Sequence, residues 1–431
     1  MDGMLKIGQE LKSENGFEYT VAKKLGEGGQ GEVYEVNQGQ NIYALKWYFP
    51  NTATADQKKI IENLIKRGEP SNNFLWPKDL LILGEGFGYI MPLRPSGYKG
   101  IVDMMKRRAD PTFHALCVAG VNIAAGYQKL HSMGYSYRDI SFGNIFFDPE
   151  KGDVLICDND NVSVDGMCDS GVSGTPRFMA PEIVTGEKNP STDTDLFSMA
   201  VLLFYMFMLH HPLEGKIEAN IKCLDALAMH KLYGTSPVFI WDPVDKTNRP
   251  VQEYQNNAIT YWDVYPKFIK DQFIHAFTEG IKKPKKRIVE KVWQDGFVRL
   301  MNSIIICQKC SDENFFDQDK INTGTGHICW RCQASLQIPP TIGIGKNLIF
   351  LNKDAKLLQH HIKEDYDLKT VVGEVVQNPN DPNKWGIRNV SNEVWVFTKV
   401  DGLTASVDKG KTAPISIGAK INFGNAIEPA S

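Results

Sequence analysis

Cysteine is scarce in this chain: 8 of 431 residues, too few for a disulfide-built scaffold. Charge of one sign is nearly absent as well. A net −3 leaves no global basic field for nucleic acid, although a local patch stays open. Long apolar runs are missing. The longest, Met199 to Leu209, has 11 residues against the roughly 20 that cross a bilayer, and it reads as a helix buried in a large domain. Met1 to Gly16 is polar and has no secretory-type apolar stretch. Glycine (37) and proline (22) are too few for a collagen-like or low-complexity chain. What is present, 42% apolar and 23% charged residues, describes a globular protein of about three domains. The expectation is a cytoplasmic chain with no membrane and no nucleic-acid partner.

Three regimes follow one another. Residues 15–303 mix strand-like and helix-like segments. Residues 304–340 hold all the paired cysteines and close on Pro339-Pro340. Residues 341–431 are short apolar runs between turn signals (Asn378-Pro379, Asp381-Pro382, Asp401-Gly402, Lys409-Gly410), the pattern of an all-β sandwich or barrel. The predicted class is multidomain α+β.

Near the start, Gly26-Glu-Gly28-Gly-Gln-Gly31-Glu-Val33 fits G-x-G-x-x-G-x-V. Glycines let a loop fold tightly and bring backbone N–H groups against phosphate oxygens. Alone, such a cluster is equally well a plain glycine-rich turn. Here it lies between strand-like segments, Glu18 to Leu25 before it and Glu32 to Val36 after it, with a hairpin connection at Gln38-Gly39-Gln40. A dinucleotide fold would need a helix after the glycines and an acidic residue about 20 positions on. Instead Lys46 stands there, in a strand. An exposed strand lysine is the plain reading; if Lys46 contacts phosphates, a buried carboxylate should hold it. Glu62, in the helical stretch Gln57 to Arg67, is the first choice; Glu69 is the alternative, and an ordinary surface glutamate is the competing reading of Glu62.

The segment Tyr135-Ser-Tyr137-Arg138-Asp139-Ile-Ser-Phe-Gly-Asn144 is followed by Val154-Leu-Ile-Cys-Asp158, by Gly174-Thr175-Pro176 through Ala180-Pro181-Glu182, and by Asp195-Leu-Phe-Ser198. In this order these motifs resemble protein kinases, and the resemblance implies a bilobal protein-kinase fold over 15–303. It implies Asp139 as the residue facing the substrate hydroxyl, Asn144 and Asp158 as Mg²⁺ (or Mn²⁺) ligands, and Lys46 as the phosphate-pairing lysine. It places ATP against Gly26, Gly28, Gly31 and Val33, with the adenine at a hinge near Met91 and Leu93. Pro92 there has no N–H to donate. Arg287 matches the late arginine that pairs with Glu182. The Gly174-Thr175-Pro176 version is similar to serine/threonine kinases; Ser170 and Ser173 are then the candidate phosphosites.

Three positions depart from the pattern. Tyr137 stands for the usual histidine, Asp158-Asn159-Asp160 for D-F-G, and Ser141 for a lysine near the γ-phosphate. Lys46, Asp139, Asn144 and Asp158 all remain, so transfer is the expected activity. A nucleotide-binding pseudokinase scaffold is the alternative.

Cys307-Gln-Lys-Cys310 and Cys329-Trp-Arg-Cys332, separated by 18 residues, fit C-x₂-C-x₁₅₋₂₀-C-x₂-C. Four thiolates complete a closed tetrahedral shell, so a structural Zn²⁺ is expected; redox pairs are the alternative. His327 reads as a bystander. Residues 341–431 resemble a forkhead-associated β-sandwich, but Lys346-Asn347 and Gln359 stand where that family's phosphate-reading residues would be expected, so the expectation is a degenerate binding module. The basic run Lys282 to Arg287 reads as a solvated loop. Kinase, zinc ribbon and β-domain in this order resemble bacterial kinases of the tellurite-resistance-associated phosphorylation triad. That resemblance implies as partners a protein substrate, a metal-dependent phosphatase and a von Willebrand A-type protein.

Overall fold

The computed structural model describes residues 3–166, 174–324 and 326–424. The chain divides into two compact units, Met1–Val298 and Arg299–Ser431. Among the described residues no helix is long and apolar enough to cross a membrane.

The first unit opens with six strands: β1 (Glu10–Lys12), β2 (Glu18–Glu27), β3 (Gly31–Gln38), β4 (Asn41–Tyr48), β5 (Asp79–Leu83) and β6 (Gly86–Pro92). They form one sheet in the order β1-β2-β3-β4-β6-β5, every pair antiparallel. The two-residue periodicity of a strand decides what each face does. Tyr34, Val36 and Leu45 turn to one side and join Val21, Leu81 and Ile90 in a core. Val33 and Lys46, paired across β3 and β4, share the opposite face. The β3–β4 turn is Gly39-Gln40, and Gly39 has the positive φ that such a turn requires (57°). β1 lies inside the stretch expected to be merely polar; its one apolar side chain, Leu11, is buried in the same core.

Helix α1 (Ala55–Arg67) starts at Thr54, whose hydroxyl accepts from the Gln57 N–H, and it buries Ile61 and Leu64. The rest of the unit is mainly helical. Helix Thr192–Met208 contains the apolar run singled out in the sequence, and every side chain from Thr194 to Met208 is buried. Phe204 in it meets Phe239, Phe273 and Phe277 edge to face. A helix apolar all round is expected only where protein surrounds it.

In the second unit, strands Ile304–Ile306 and Glu313–Phe315 pair antiparallel beside the four paired cysteines. Beyond them, strands Lys356–Leu358, Val371–Asn378, Asp381–Asn389 and Thr412–Pro414 make one sheet, and Thr404–Val407, Trp395–Thr398 and Lys420–Asn422 make another. Val375 and Ile387 from the first sheet and Trp395, Phe397 and Val407 from the second share one core. Gly402 and Gly410 take positive φ (85° and 84°) at expected turns. Asp381-Pro382, expected as a turn, instead opens a strand, Asp381–Asn389.

Candidate active site

Two short strands set the geometry. Ile145–Phe147 and Val154–Ile156 pair antiparallel, with Ile145 opposite Ile156. Asn144 and Cys157 therefore lie side by side at one end, where the Cys157 N–H donates to the Asn144 carbonyl (2.8 Å). Asp158 is the next residue. The pairing alone puts Asn144 and Asp158 at the same place although they are 14 apart in sequence.

Asn144 reaches back to the segment before it: its Nδ2 donates to the Asp139 carbonyl (2.7 Å) and to Asp139 Oδ2 (3.2 Å). The other oxygen of Asp139 accepts from the Thr175 hydroxyl (2.7 Å), which fixes the carboxylate from both sides. Gly174 beside it has φ 103°, and a Cβ there would lie 2.8 Å from the Arg138 carbonyl, so glycine is needed for this close approach. The Asp139 segment is anchored from below: Asp195 accepts from the backbone N–H groups of Tyr137 (2.5 Å) and Arg138 (3.0 Å). Arg138 has a positive φ of 72° there.

The glycine loop joins β2 to β3. The space beside Gly26, Gly28 and Gly29 is open, whereas a Cβ on Gly31 would lie 2.1 Å from the Trp47 carbonyl of β4. Gly31 is thus required by strand packing, and the earlier glycines leave backbone exposed to a ligand. Lys46 Nζ lies under this loop, bonded to Gln30 Oε1 (3.0 Å), and 3.5 Å from Asp158 Oδ1. Met91 is buried in β6, paired with Ala44; Leu93 follows the strand and is half-buried.

Glu62 does not hold Lys46. Its side chain is 45% exposed on α1 and pairs with Lys58 (3.7 Å). The carboxylate on Lys46 is that of Asp160, at 3.0 Å and 2.8 Å. Burial works against the charge of Lys46, but Asp160 and Asp158 outweigh it and hold the ammonium above its ordinary value. The helical register carried the signal. Glu62 stands one position from buried Ile61 and four from Lys58 and Lys66, which is a solvent-facing stripe.

Two of the departures from the kinase pattern have local explanations, at Tyr137 and at Asn159-Asp160; nothing in the structure explains Ser141. Tyr137 is fully buried, packs edge to face on Tyr127, and its hydroxyl donates to the carbonyl of Cys157 just before Asp158. Asn159 is buried and donates to the Leu75 and Ile156 carbonyls (2.9 and 3.1 Å), so an amide occupies the aromatic's place. Loss of the glycine is tolerated because the left-handed residue is Asp158 (φ 50°), while Asp160 sits in a short 3₁₀ turn, Asn159–Asn161. Ser170 and Ser173 lie outside the described residues.

A buried histidine ties the Asp195 anchor to the late helix Glu290–Asn302. His131 Nε2 is 3.2 Å from Asp195 Oδ2, and its Nδ1 meets Glu290. Burial opposes protonation, yet the two carboxylates outweigh it and raise the imidazole to about 9. A group raised on folding stabilises fully below its unfolded value near 6.5 and stops doing so as pH passes its folded value. The contribution is on the order of 3 kcal/mol, present around pH 6 and lost as pH rises through about 9. Urea titrations should therefore separate the wild type from His131→Gln widely at pH 6 and narrowly at pH 9.5. A gap of equal width at both pH values would contradict the charged-histidine account.

In the second unit, Cys307, Cys310, Cys329 and Cys332 place their sulfurs within 4.8 Å of one another. Cys307–Cys332 and Cys310–Cys329 are each 3.6 Å apart, close to the about 3.8 Å edge of a tetrahedron with 2.3 Å metal–sulfur bonds. The two pairs fold alike. Ser311 N–H returns to the Cys307 carbonyl and Gln333 N–H to that of Cys329, and both residues are left-handed (62° and 59°). Backbone N–H groups of Cys310 and Lys309 aimed at the Cys307 sulfur bring its thiol down to about 7. Asn314 Nδ2 lies 3.6 Å from the Cys329 sulfur. This donor set fits a metal ion.

Comparison with known proteins places these observations. Residues 89–287 match the family described as protein kinase domain. The "Probable serine/threonine-protein kinase CCRP1" of Zea mays is 27% identical over 217 residues, which is 48% of this chain and 34% of that protein. Protein kinase YegI of Escherichia coli (strain K12) is 25% identical over 230 residues, covering 49% of this chain and 35% of its own. Protein kinase C delta type of Rattus norvegicus is 34% identical over 231 residues, 47% of this chain and 31% of its own. The chain carries a protein kinase domain, similar to those of serine/threonine kinases. It spans about a third of the length of these relatives, so the likeness concerns that domain.

Proposed function

We propose that this chain transfers the γ-phosphoryl group of ATP to serine or threonine hydroxyls of a protein substrate. The observation that carries the reading is the strand pair that sets Asn144 beside Asp158, with Lys46 3.5 Å from one and Asp139 bonded to the other. Phosphoryl transfer needs charge placed correctly more than it needs covalent help. Asn144 and Asp158 offer the oxygens a hard cation takes, and Mg²⁺ (or Mn²⁺), when bound, neutralises charge on the phosphates. Lys46 pairs with phosphate oxygens beneath Gly26, Gly28 and Gly31, and Val33, Met91 and Leu93 border the base. Asp139, held by Thr175 and Asn144, orients the substrate hydroxyl and accepts its proton. Glu62 has no part in this.

In the same reading residues 15–303 are the kinase portion. Residues 304–340 are a ribbon whose four thiolates hold a structural Zn²⁺, and residues 341–431 are a sandwich-like, degenerate forkhead-associated domain that recruits or regulates. Lys346 pairs with Glu364 (3.3 Å) and Gln359 donates to Asp365 (2.7 Å), which suits a module that does not read phosphate there. The domain order supports placement with the bacterial tellurite-resistance-associated kinases. A metal-dependent phosphatase and a von Willebrand A-type protein are then the partners, in the cytoplasm.

The altered Asp158-Asn159-Asp160 turn favours a second reading, a nucleotide-binding scaffold without transfer. Radiolabelled ATP with a generic acceptor protein separates the two. The full chain should label itself or the acceptor, and Asp139→Asn should not. Wild-type incorporation no greater than that of Asp139→Asn would end the enzyme reading.

A further inference from the structure

We propose that Asp160 is the positioning residue for Lys46, so that the nucleotide-binding lysine is set by the segment carrying Asp158 and not by a glutamate of α1. The inference rests on the nucleotide-site reading above and concerns how that site is held.

The side chain of Asp160 has no solvent exposure, and that of Lys46 only 7%. A carboxylate so placed must have its oxygens satisfied by donors. Oδ1 accepts from Lys46 Nζ (3.0 Å) and the Tyr89 hydroxyl (3.3 Å); Oδ2 accepts from Lys46 Nζ (2.8 Å) and the Tyr48 hydroxyl (2.6 Å). These donors follow from strand geometry. Tyr48 is two residues after Lys46 on β4, hence on the same face, and Tyr89 on β6 is directly opposite Lys46 in register. One sheet face thus presents an ammonium and two phenols to a single carboxylate. Helix α1 contributes an amide in place of a charge: Gln57 Nε2 reaches the Tyr48 hydroxyl (3.2 Å) and the Asp160 carbonyl (3.3 Å). Glu62 lies off this face and is paired with Lys58.

The arrangement has a chemical consequence. Lys46 stands between two carboxylates, one buried and dedicated to it, the other (Asp158) required for metal. With Asp160 neutralised, the ammonium has only Asp158 to pair with and competes there with Mg²⁺. A merely structural role for Asp160 would alter stability without moving the Mg²⁺ requirement.

Binding of a fluorescent ATP analogue and its dependence on Mg²⁺, measured on the full chain, test this. Asp160→Asn should weaken binding about tenfold, the scale of losing one charged hydrogen-bond partner, and raise the Mg²⁺ concentration for half-saturation. Tyr48→Phe, which removes one donor and keeps the ring, should shift both in the same direction by less, and it serves if Asp160→Asn does not fold. Glu62→Gln should stay within about twofold of wild type. Binding by both Asp160→Asn and Tyr48→Phe with an unchanged Mg²⁺ requirement would overturn the proposal. So would a loss in Glu62→Gln equal to that in Asp160→Asn. Because the readout is binding, a protein that binds but transfers nothing sinks the enzyme reading alone. Altered transfer with unaltered binding and Mg²⁺ requirement sinks only the role given to Asp160.

Discussion

Purified chain should contain about one zinc ion, and stripping it should unfold the ribbon. Little else is available to hold that segment. Its buried apolar side chains are Ile304, Ile305, Cys307, Phe315, Cys329 and Leu336, with Cys310, Cys332 and Ala334 partly buried around the sulfurs. At about 25 cal/mol per Å², six such side chains fall short of the conformational entropy of ordering some thirty residues. Structural zinc binding in small zinc domains is worth about 10–16 kcal/mol near neutral pH, which offsets that deficit outright. The two knuckles are already shaped for it, with sulfurs 3.6 Å apart pairwise and a left-handed residue after each pair. Hydrogen exchange on the full chain should show residues 304–336 protected with metal and unprotected after chelation, and Cys307→Ser should resemble the stripped protein. Exchange in the helix Thr192–Met208, whose core owes nothing to the metal, should stay slow. Acid should release the ion as the thiolates protonate, since only the thiolate binds. Metal-free protein with the same protection over 304–336 would refute the assignment, and so would metal analysis that finds no zinc.

The sequence made this cluster legible because spacing within a knuckle is local: two residues between cysteines constrain the turn wherever it sits. The same holds for Asp139 and Asn144, five apart, whose side chains bond directly. Arg287 and Glu182, 105 apart, were legible for a different reason, since each belongs to a recognisable short pattern. What could not be read locally was the partner of Lys46. Asp160 is 114 residues away, and its role depends on Tyr48 and Tyr89 turning to the same sheet face. A glycine position occupied by aspartate looks in sequence like a lost feature, whereas in the fold it is a carboxylate enclosed by donors. β1 escaped for want of pattern: three residues with one buried side chain have no period to detect. At Tyr137 the sequence shows a substitution and no more; the hydroxyl bond to the Cys157 carbonyl exists only in the fold.

Replacing Arg287 by methionine should destabilise the first unit by about 3–5 kcal/mol, the cost of leaving one half of a buried ion pair behind. The guanidinium meets Glu182 through two parallel bonds, Nη1 to Oε1 (2.7 Å) and Nη2 to Oε2 (2.8 Å), with side-chain exposures of 2% and 9%. Two further donors, on Nη1 and Nε, go to the Asp193 carbonyl (2.8 Å) and the Gly280 carbonyl (3.1 Å). One side chain thus joins the end of the Gly174–Glu182 segment, the start of helix Thr192–Met208 and the turn at Gly280. Methionine fills much of the volume, so the loss reports charge and not a cavity. Lysine cannot replace the fork, because a single ammonium does not span both carboxylate oxygens, and Arg287→Lys should recover only part of the loss. Glu182→Leu alone should also be costly, since it strands the guanidinium. The double variant Arg287→Met/Glu182→Leu should lose less than the sum of the two, because no unpaired charge remains. Urea denaturation of the four proteins gives the cycle directly. Additive losses would mean that the pair is not coupled, and that Arg287 acts through its bonds to Gly280 and Asp193 instead. Should the double variant recover stability while transfer activity stays low, the ion pair would owe its place to alignment: it fixes Thr175, at the other end of the same segment, against Asp139.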